Sequence, residues 1–237
     1  MDYSPVLAVV TAAFEIAVAV WALRGPGQRR IVRTTSAILL LLAGYQIAEV
    51  AICANVAAAG FTPRLAFIIV TWLPALGLLL IAQLLRPGSR TLIGSAYAML
   101  AVAAGIVVWI VVDQSFASAS VCNAVYARYT HAMPRFLIYS SFYWLGLLGM
   151  IAFSGYGAKT CRDPRRHRQL VQIFVGTVAF VALAMSTSWF VPPARGALPS
   201  IMCHYALLFA VALTRLIHLE RERANAAVLV RAGENGR

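Results

Sequence analysis

The segment YQIAEVAIC, residues 45–53, carries a carboxylate, Glu49, directly after the apolar stretch TSAILLLLAG. An ionised side chain held away from water is costly, so a carboxylate in such a place has either a partner or a task. Tyr45 lies four residues and Gln46 three residues before Glu49, which puts phenol, amide and carboxylate on one helical face. Such a face can anchor a polar ligand, act in acid–base chemistry, or satisfy itself.

Other apolar runs carry polar groups at comparable depth: Thr71, Trp72 and Pro74; Tyr139, Ser140, Ser141, Tyr143 and Trp144; Ser186, Thr187, Ser188 and Trp189; Cys203, His204 and Tyr205. Glu15 stands alone near the middle of the first run. Trp and Tyr gather at membrane interfaces, and Ser and Thr let helices approach closely. Those tendencies account for Trp109, Trp189 and some of the tyrosines. They do not account for Gln46, Glu49 or His204, each of which would pay to face lipid. Two readings stay open. One is a polar cavity opening outward, with Tyr45, Gln46, Glu49, Trp72, Tyr139, Tyr143, Ser186 and His204 as ligand contacts. The other is a self-satisfied structural network.

Several chemistries are set aside. The histidines, His131, His167, His204 and His218, form no HxxxH or HExxH pair, and a zinc site needs three protein ligands close together. No metal is expected. The only lysine, Lys159, falls between apolar runs, which excludes a retinal Schiff base. His204 has no facing histidine with which to hold haem, and phosphate-loop, GxSxG and dinucleotide fingerprints are missing. No cofactor is expected and no catalytic residue is assigned. An intramembrane hydrolase with Glu49 and His204 as acid and base is the enzyme reading that stays open.

The elements that must position these residues follow from composition. The chain has 237 residues, 61% hydrophobic and 12% charged, whereas soluble domains carry about 25% charge. Seven apolar runs, at 5–23, 34–56, 64–85, 92–112, 135–155, 169–191 and 197–218, meet or approach the roughly 20 residues needed to cross a hydrocarbon core of about 30 Å. The expectation is an all-α integral membrane bundle of seven transmembrane helices. Residues 1–219 form the bundle, and 220–237 a short tail that continues the last helix for a few turns before fraying, with Glu220 and Glu222 in a solvated end. GPG at 25–27, RPGS at 86–89, DP at 163–164 and VPP at 191–193 punctuate the runs. Pro74 is expected to kink the third helix.

MDYSP lacks the basic region of a cleavable signal, so the first run is expected to be retained. Sixteen of the twenty Lys and Arg fall in one alternating set of connections and the tail; only Arg64, Arg128, Arg135 and Arg195 fall in the other. The positive-inside rule then predicts the N-terminus outside and the C-terminus in the cytoplasm, in a plasma (inner) membrane. The net charge of +12 is thereby assigned to topology and anionic lipid headgroups. Nucleic acid is not an expected partner.

Sidedness also selects among the four cysteines. Cys53 and Cys122 both face the outside, Cys161 faces the cytoplasm, and Cys203 lies within a span. A Cys53–Cys122 disulfide is therefore predicted. It would fold the long connection 113–133, which has no strong helical or strand pattern, back as a lid.

Seven runs with an outside N-terminus resemble the seven-helix sensor modules at the N-termini of bacterial membrane receptors. The resemblance implies ligand sensing, and with no kinase or cyclase pattern after the seventh run, it implies output through a partner signalling protein. The function expected is binding or sensing of a small ligand in an outward-facing polar cavity. The alternative is a small-molecule or proton-coupled transporter, suggested by a 3+1+3 organisation with basic connections after helices one and five. An accessory subunit of a membrane complex is a further alternative.

Overall fold

The computed structural model describes residues 4–54, 62–85, 90–117, 119–123, 126–130, 133–192 and 197–235. Seven helices dominate: α1 (Val6–Arg24), α2 (Arg29–Cys53), α3 (Thr62–Leu85), α4 (Arg90–Val112), α5 (Met133–Thr160), α6 (Pro164–Phe190) and α7 (Leu198–Asn235). All seven are long and apolar enough to cross a membrane. The turns at 86–89 and the end of the VPP turn, with Arg195 and His131, lie outside the described residues.

Consecutive helices pack on one another, except across the α4–α5 connection. α3 also meets α5 and α6, and α7 closes against α1 and α2. α4 packs chiefly on α3 and leaves Tyr97, Val102, Val108 and Val111 on the surface. Leu40, Ile47, Leu137, Leu145, Leu148, Val175 and Leu183 are exposed as well. A soluble protein rarely exposes so much contiguous apolar surface; lipid is the solvent that suits it.

Small residues set the closest approaches. A side chain at Gly146 would collide with Pro74, so α5 crosses α3 where the proline sits. α3 runs as one helix through Pro74. A Cβ at Gly176 would lie 2.6 Å from that of Ala212, which fixes α6 against α7.

Four helices, α2, α5, α6 and α7, differ from the hydropathy reading by five residues or more at one end, the last two with a visible cause. α6 starts at Pro164 because Asp163 caps it, accepting a hydrogen bond from the Arg165 backbone N–H at 3.0 Å; Pro fits the first turn, where its missing N–H costs nothing. α7 does not fray after a few turns but continues to Asn235. Nor is Glu220 solvated: it is 1% exposed. Its Oε2 accepts from Gln169 Nε2 at 2.9 Å and lies 3.4 Å from Arg166 Nη1, and its Oε1 accepts from the Gln28 backbone N–H at 3.2 Å. Arg221 lies over the Trp21 ring, 3.7 Å from its centroid. This latch ties α7 to α6 and to the α1–α2 turn. Glu222 remains exposed and meets His218 at 3.0 Å.

The connection expected to be irregular holds a β-hairpin: β1 (Ala119–Cys122) pairs antiparallel with β2 (Ala127–Thr130), Cys122 opposite Ala127. Its burial alternates along β2, with Ala127 and Tyr129 in and Arg128 and Thr130 out. The side chain of Cys122 is bonded to that of Cys53, with the two Cα atoms 5.6 Å apart.

Candidate functional site

The hairpin sits on the end of the bundle where the polar residues of α2 and α7 meet. Glu49, 0% exposed, accepts a hydrogen bond on Oε2 from Ser200 Oγ at 2.6 Å. Ser200 Oγ in turn accepts from the Ala127 backbone N–H of β2 at 3.2 Å. His204, one turn after Ser200, has its Nδ1 2.8 Å from the Ser200 carbonyl oxygen. A carbonyl only accepts, so Nδ1 carries the hydrogen, and Nε2 points to Glu49 Oε1 at 3.8 Å. The contact becomes an ion pair when Nε2 is protonated too.

The neighbours on α2 extend this network. Gln46 Nε2 donates to the Cys203 carbonyl at 2.9 Å, and Tyr45 shares a hydrogen bond of 3.2 Å with Tyr129 of the hairpin. The hairpin is thus held by one covalent bond to α2, one hydroxyl contact to α2 and one hydroxyl contact to α7. Aromatic packing adds to it: Phe67 of α3 lies edge-on to Phe116 and to Tyr129, with centroids 5.4 and 5.2 Å away. Phe116, Ala117, Ala127 and Tyr129 are all buried. Beside the hairpin, Asp113 ties the end of α4 to the start of α5: it pairs with Arg135 at 2.7 Å and accepts from the Ser115 hydroxyl at 2.7 Å. The Ser115 hydroxyl foremost, with the Ser115 N–H and Arg135, holds the Asp113 carboxyl below its ordinary pKa.

Next to this network lies a cavity of about 120 Å³ between α3, α5 and α7. Val70, Tyr139, Ser140, Tyr143, Trp144 and Met202 are among the residues lining it, and no charged side chain does so among the described residues. Tyr139 and Tyr143 stack along one wall with centroids 6.1 Å apart. Cys203 lines it too, so the residue whose carbonyl is bound by Gln46 separates the cavity from the Glu49 network. His204 instead borders a groove between α6 and α7, beside Tyr205, whose hydroxyl shares a 2.8 Å hydrogen bond with Thr187.

The residues singled out by sequence therefore divide. Tyr45, Gln46, Glu49 and His204 come together in one network. Tyr139 and Tyr143 come together in the adjoining cavity. Trp72 is half-buried against the core, and Ser186 is exposed on α6; neither lines the cavity. Sequence reasoning missed Ser200, Phe67, Phe116 and Tyr129. Ser200 could have been found from its spacing, since it stands one helical turn before His204 and so shares its face. No group of three or more His, Cys, Asp or Glu able to hold a metal occurs among the described residues.

The chain matches no protein-family model, and no curated protein is significantly similar to it.

Proposed function

We propose that this chain is a multi-pass protein of the plasma (inner) membrane that binds a small, uncharged, largely apolar ligand in the cavity between α3, α5 and α7. The N-terminus and the hairpin are outside, the α7 extension is cytoplasmic, and the hairpin is the lid. The cavity itself carries the reading. An engineered apolar cavity of about 150 Å³ takes up benzene, so a space of about 120 Å³ suits a single ring or a short aliphatic group. Two tyrosines, Ser140 and the indole of Trp144 supply polar handles in an otherwise apolar lining. Glu49 and His204 are not ligand anchors in this reading. They hold α7 and the lid in register around the cavity.

A sensor is favoured over a carrier by what fills the other half of the bundle. Ile31, Leu80, Ile81, Leu84, Leu213, Leu216 and Ile217 are all at most 2% exposed, which supports a pocket with a floor rather than a pathway. The orientation is supported by the basic residues, sixteen of twenty of which fall, in the sequence, in the connections after the first, third and fifth helices and in the tail. α7 carries Ser200, Cys203 and His204 at one end and the Glu220 latch at the other, so it is the element through which occupancy reaches a cytoplasmic partner.

Indole, phenol and benzene are suitable probes, titrated against the purified protein while the fluorescence of Trp144 is followed, with Trp144→Phe as the blank. Saturable binding of at least one probe is expected, and it should weaken at least tenfold when Ser140→Phe fills the cavity. Binding that is unchanged in Ser140→Phe, or no binding of any of the three, would refute the assignment.

A further inference from the structure

Glu15 of α1 belongs neither to the cavity nor to the Glu49 network. It is 0% exposed, and neither carboxylate oxygen has a hydrogen-bond partner. Buried carboxylates are nearly always paired, because an uncompensated charge in a low-dielectric interior is among the costliest arrangements a protein can hold. Two more oxygens are orphaned in the same part of the bundle. Thr11 Oγ1, one turn away on the same face of α1, is buried without a partner, and so is Gln46 Oε1. Gln46 lines the groove between α1 and α2 with Ala12, Ala13 and Ile16, while its amide nitrogen is committed to Cys203 of α7.

Helices α2 and α7 are the ones that pack on α1. The titratable groups they bring to this region are Glu49 and Cys203, whose backbone carbonyl holds the Gln46 amide. His204 follows Cys203 in the chain but turns to Glu49. The arginines of the three helices, Arg24, Arg29, Arg30, Arg33, Arg215, Arg221, Arg223 and Arg231, all fall in, or beyond, the halves of their apolar spans away from the hairpin end. Among the described residues Glu15 therefore has no cation to pair with, and a second carboxylate lies nearby on α2. As a carboxylate, it would add two charged acceptors to a region where, among the described residues, Gln46 Oε1 is already an orphan acceptor and the Thr11 hydroxyl is the nearby donor on α1. As a carboxylic acid, it brings its own donor.

We propose that Glu15, with Thr11 and Gln46 beside it, is a proton-binding site within the membrane, distinct from the ligand cavity and independent of it. The bound species is a proton on the Glu15 carboxyl at neutral pH. The Glu49 carboxyl, given a hydrogen bond by Ser200 and facing His204, is the ionised member of the two. Gln46, whose amide ties α2 to α7 at the Cys203 carbonyl, lies between this site and the hairpin end.

Infrared spectroscopy of the whole protein in liposomes at pH 7 reads this directly, because a carboxylic acid shows a C=O stretch well separated from the carboxylate and amide bands. The wild type should show that band. Glu15→Gln should lose it, Glu49→Gln should retain it, and exchanging potassium for sodium in the buffer should leave it unchanged. Should Glu15→Gln fail to fold, Glu15→Asp serves instead, with a shifted band in place of a lost one. A wild-type spectrum without the band would overturn the proposal, and so would a band insensitive to both substitutions. A band abolished by sodium would overturn it as well, since the ligand would then be a metal cation.

Discussion

Glu49 receives the Ser200 hydroxyl on one oxygen and faces His204 with the other, so two substitutions separate what each contact contributes. Ser200→Ala removes the donor to Glu49 and the acceptor of the Ala127 N–H together, at a buried site. Leaving buried groups without partners costs about 1–3 kcal/mol, more when one is charged. Glu49→Gln keeps a carbonyl oxygen for Ser200 and gives up only the charge. Thermal unfolding in detergent should therefore show a larger loss for Ser200→Ala than for Glu49→Gln. The reverse order would mean that the charge facing His204, not the serine, holds this end together. The costly residues were legible: Glu49, Gln46 and His204 stood out because lipid cannot satisfy them, and all three lie with Tyr45 at the hairpin end. Ser200 did not stand out, because a serine in an apolar helix is most often there for its size. Trp72 and Ser186 looked equivalent to the others at the same depth. Depth without rotation cannot tell an inward face from an outward one.

At the level of elements, hydropathy found all seven helices, though not all of their ends, since apolar length is a direct consequence of bilayer thickness. It missed the start of α6, where the Asp163 cap outweighs the polarity of PRRHR, and the hairpin. In ASVC and ARYT the alternation is only four residues long and built partly of small side chains, too short to register as a strand pattern. The disulfide was nevertheless legible, because sidedness needs no knowledge of the loop's conformation. Intact-mass analysis after alkylation should count two free thiols in the unreduced protein, Cys161 and Cys203, and four after reduction. The link closes a separation of 69 residues, which the chain-entropy account values at about 4 kcal/mol, less where a bilayer already restrains the unfolded chain. Cys53→Ser should accordingly lower the unfolding temperature and raise hydrogen exchange in 119–130. Unaltered exchange there would show that Phe67, Ser200 and Tyr45 hold the hairpin without the covalent tie.

For the molecule as a whole, orientation is the property on which the remaining assignments depend. Gln114 lies at the hairpin end and Thr160 at the end of α5 toward the Glu220 latch, and both are exposed. The charge distribution alone assigns the first to the outside and the second to the cytoplasm. The physical reason is kinetic as well as energetic, since short basic connections resist translocation against the membrane potential. Single cysteines at these two positions, in a background where Cys161 is replaced by Ser and the Cys53–Cys122 bond is intact, report the arrangement in whole cells. An impermeant maleimide should label Gln114→Cys readily and Thr160→Cys only after the membrane is opened. The opposite pattern would put the hairpin, with its disulfide, in the reducing cytoplasm, where such bonds rarely persist. The cavity would then sample cytoplasmic molecules, and the α7 extension would lie outside, with no cytoplasmic partner to signal to. Equal labelling of both sites in intact cells would deny a single orientation, and with it the use of the sixteen basic residues as the determinant of topology.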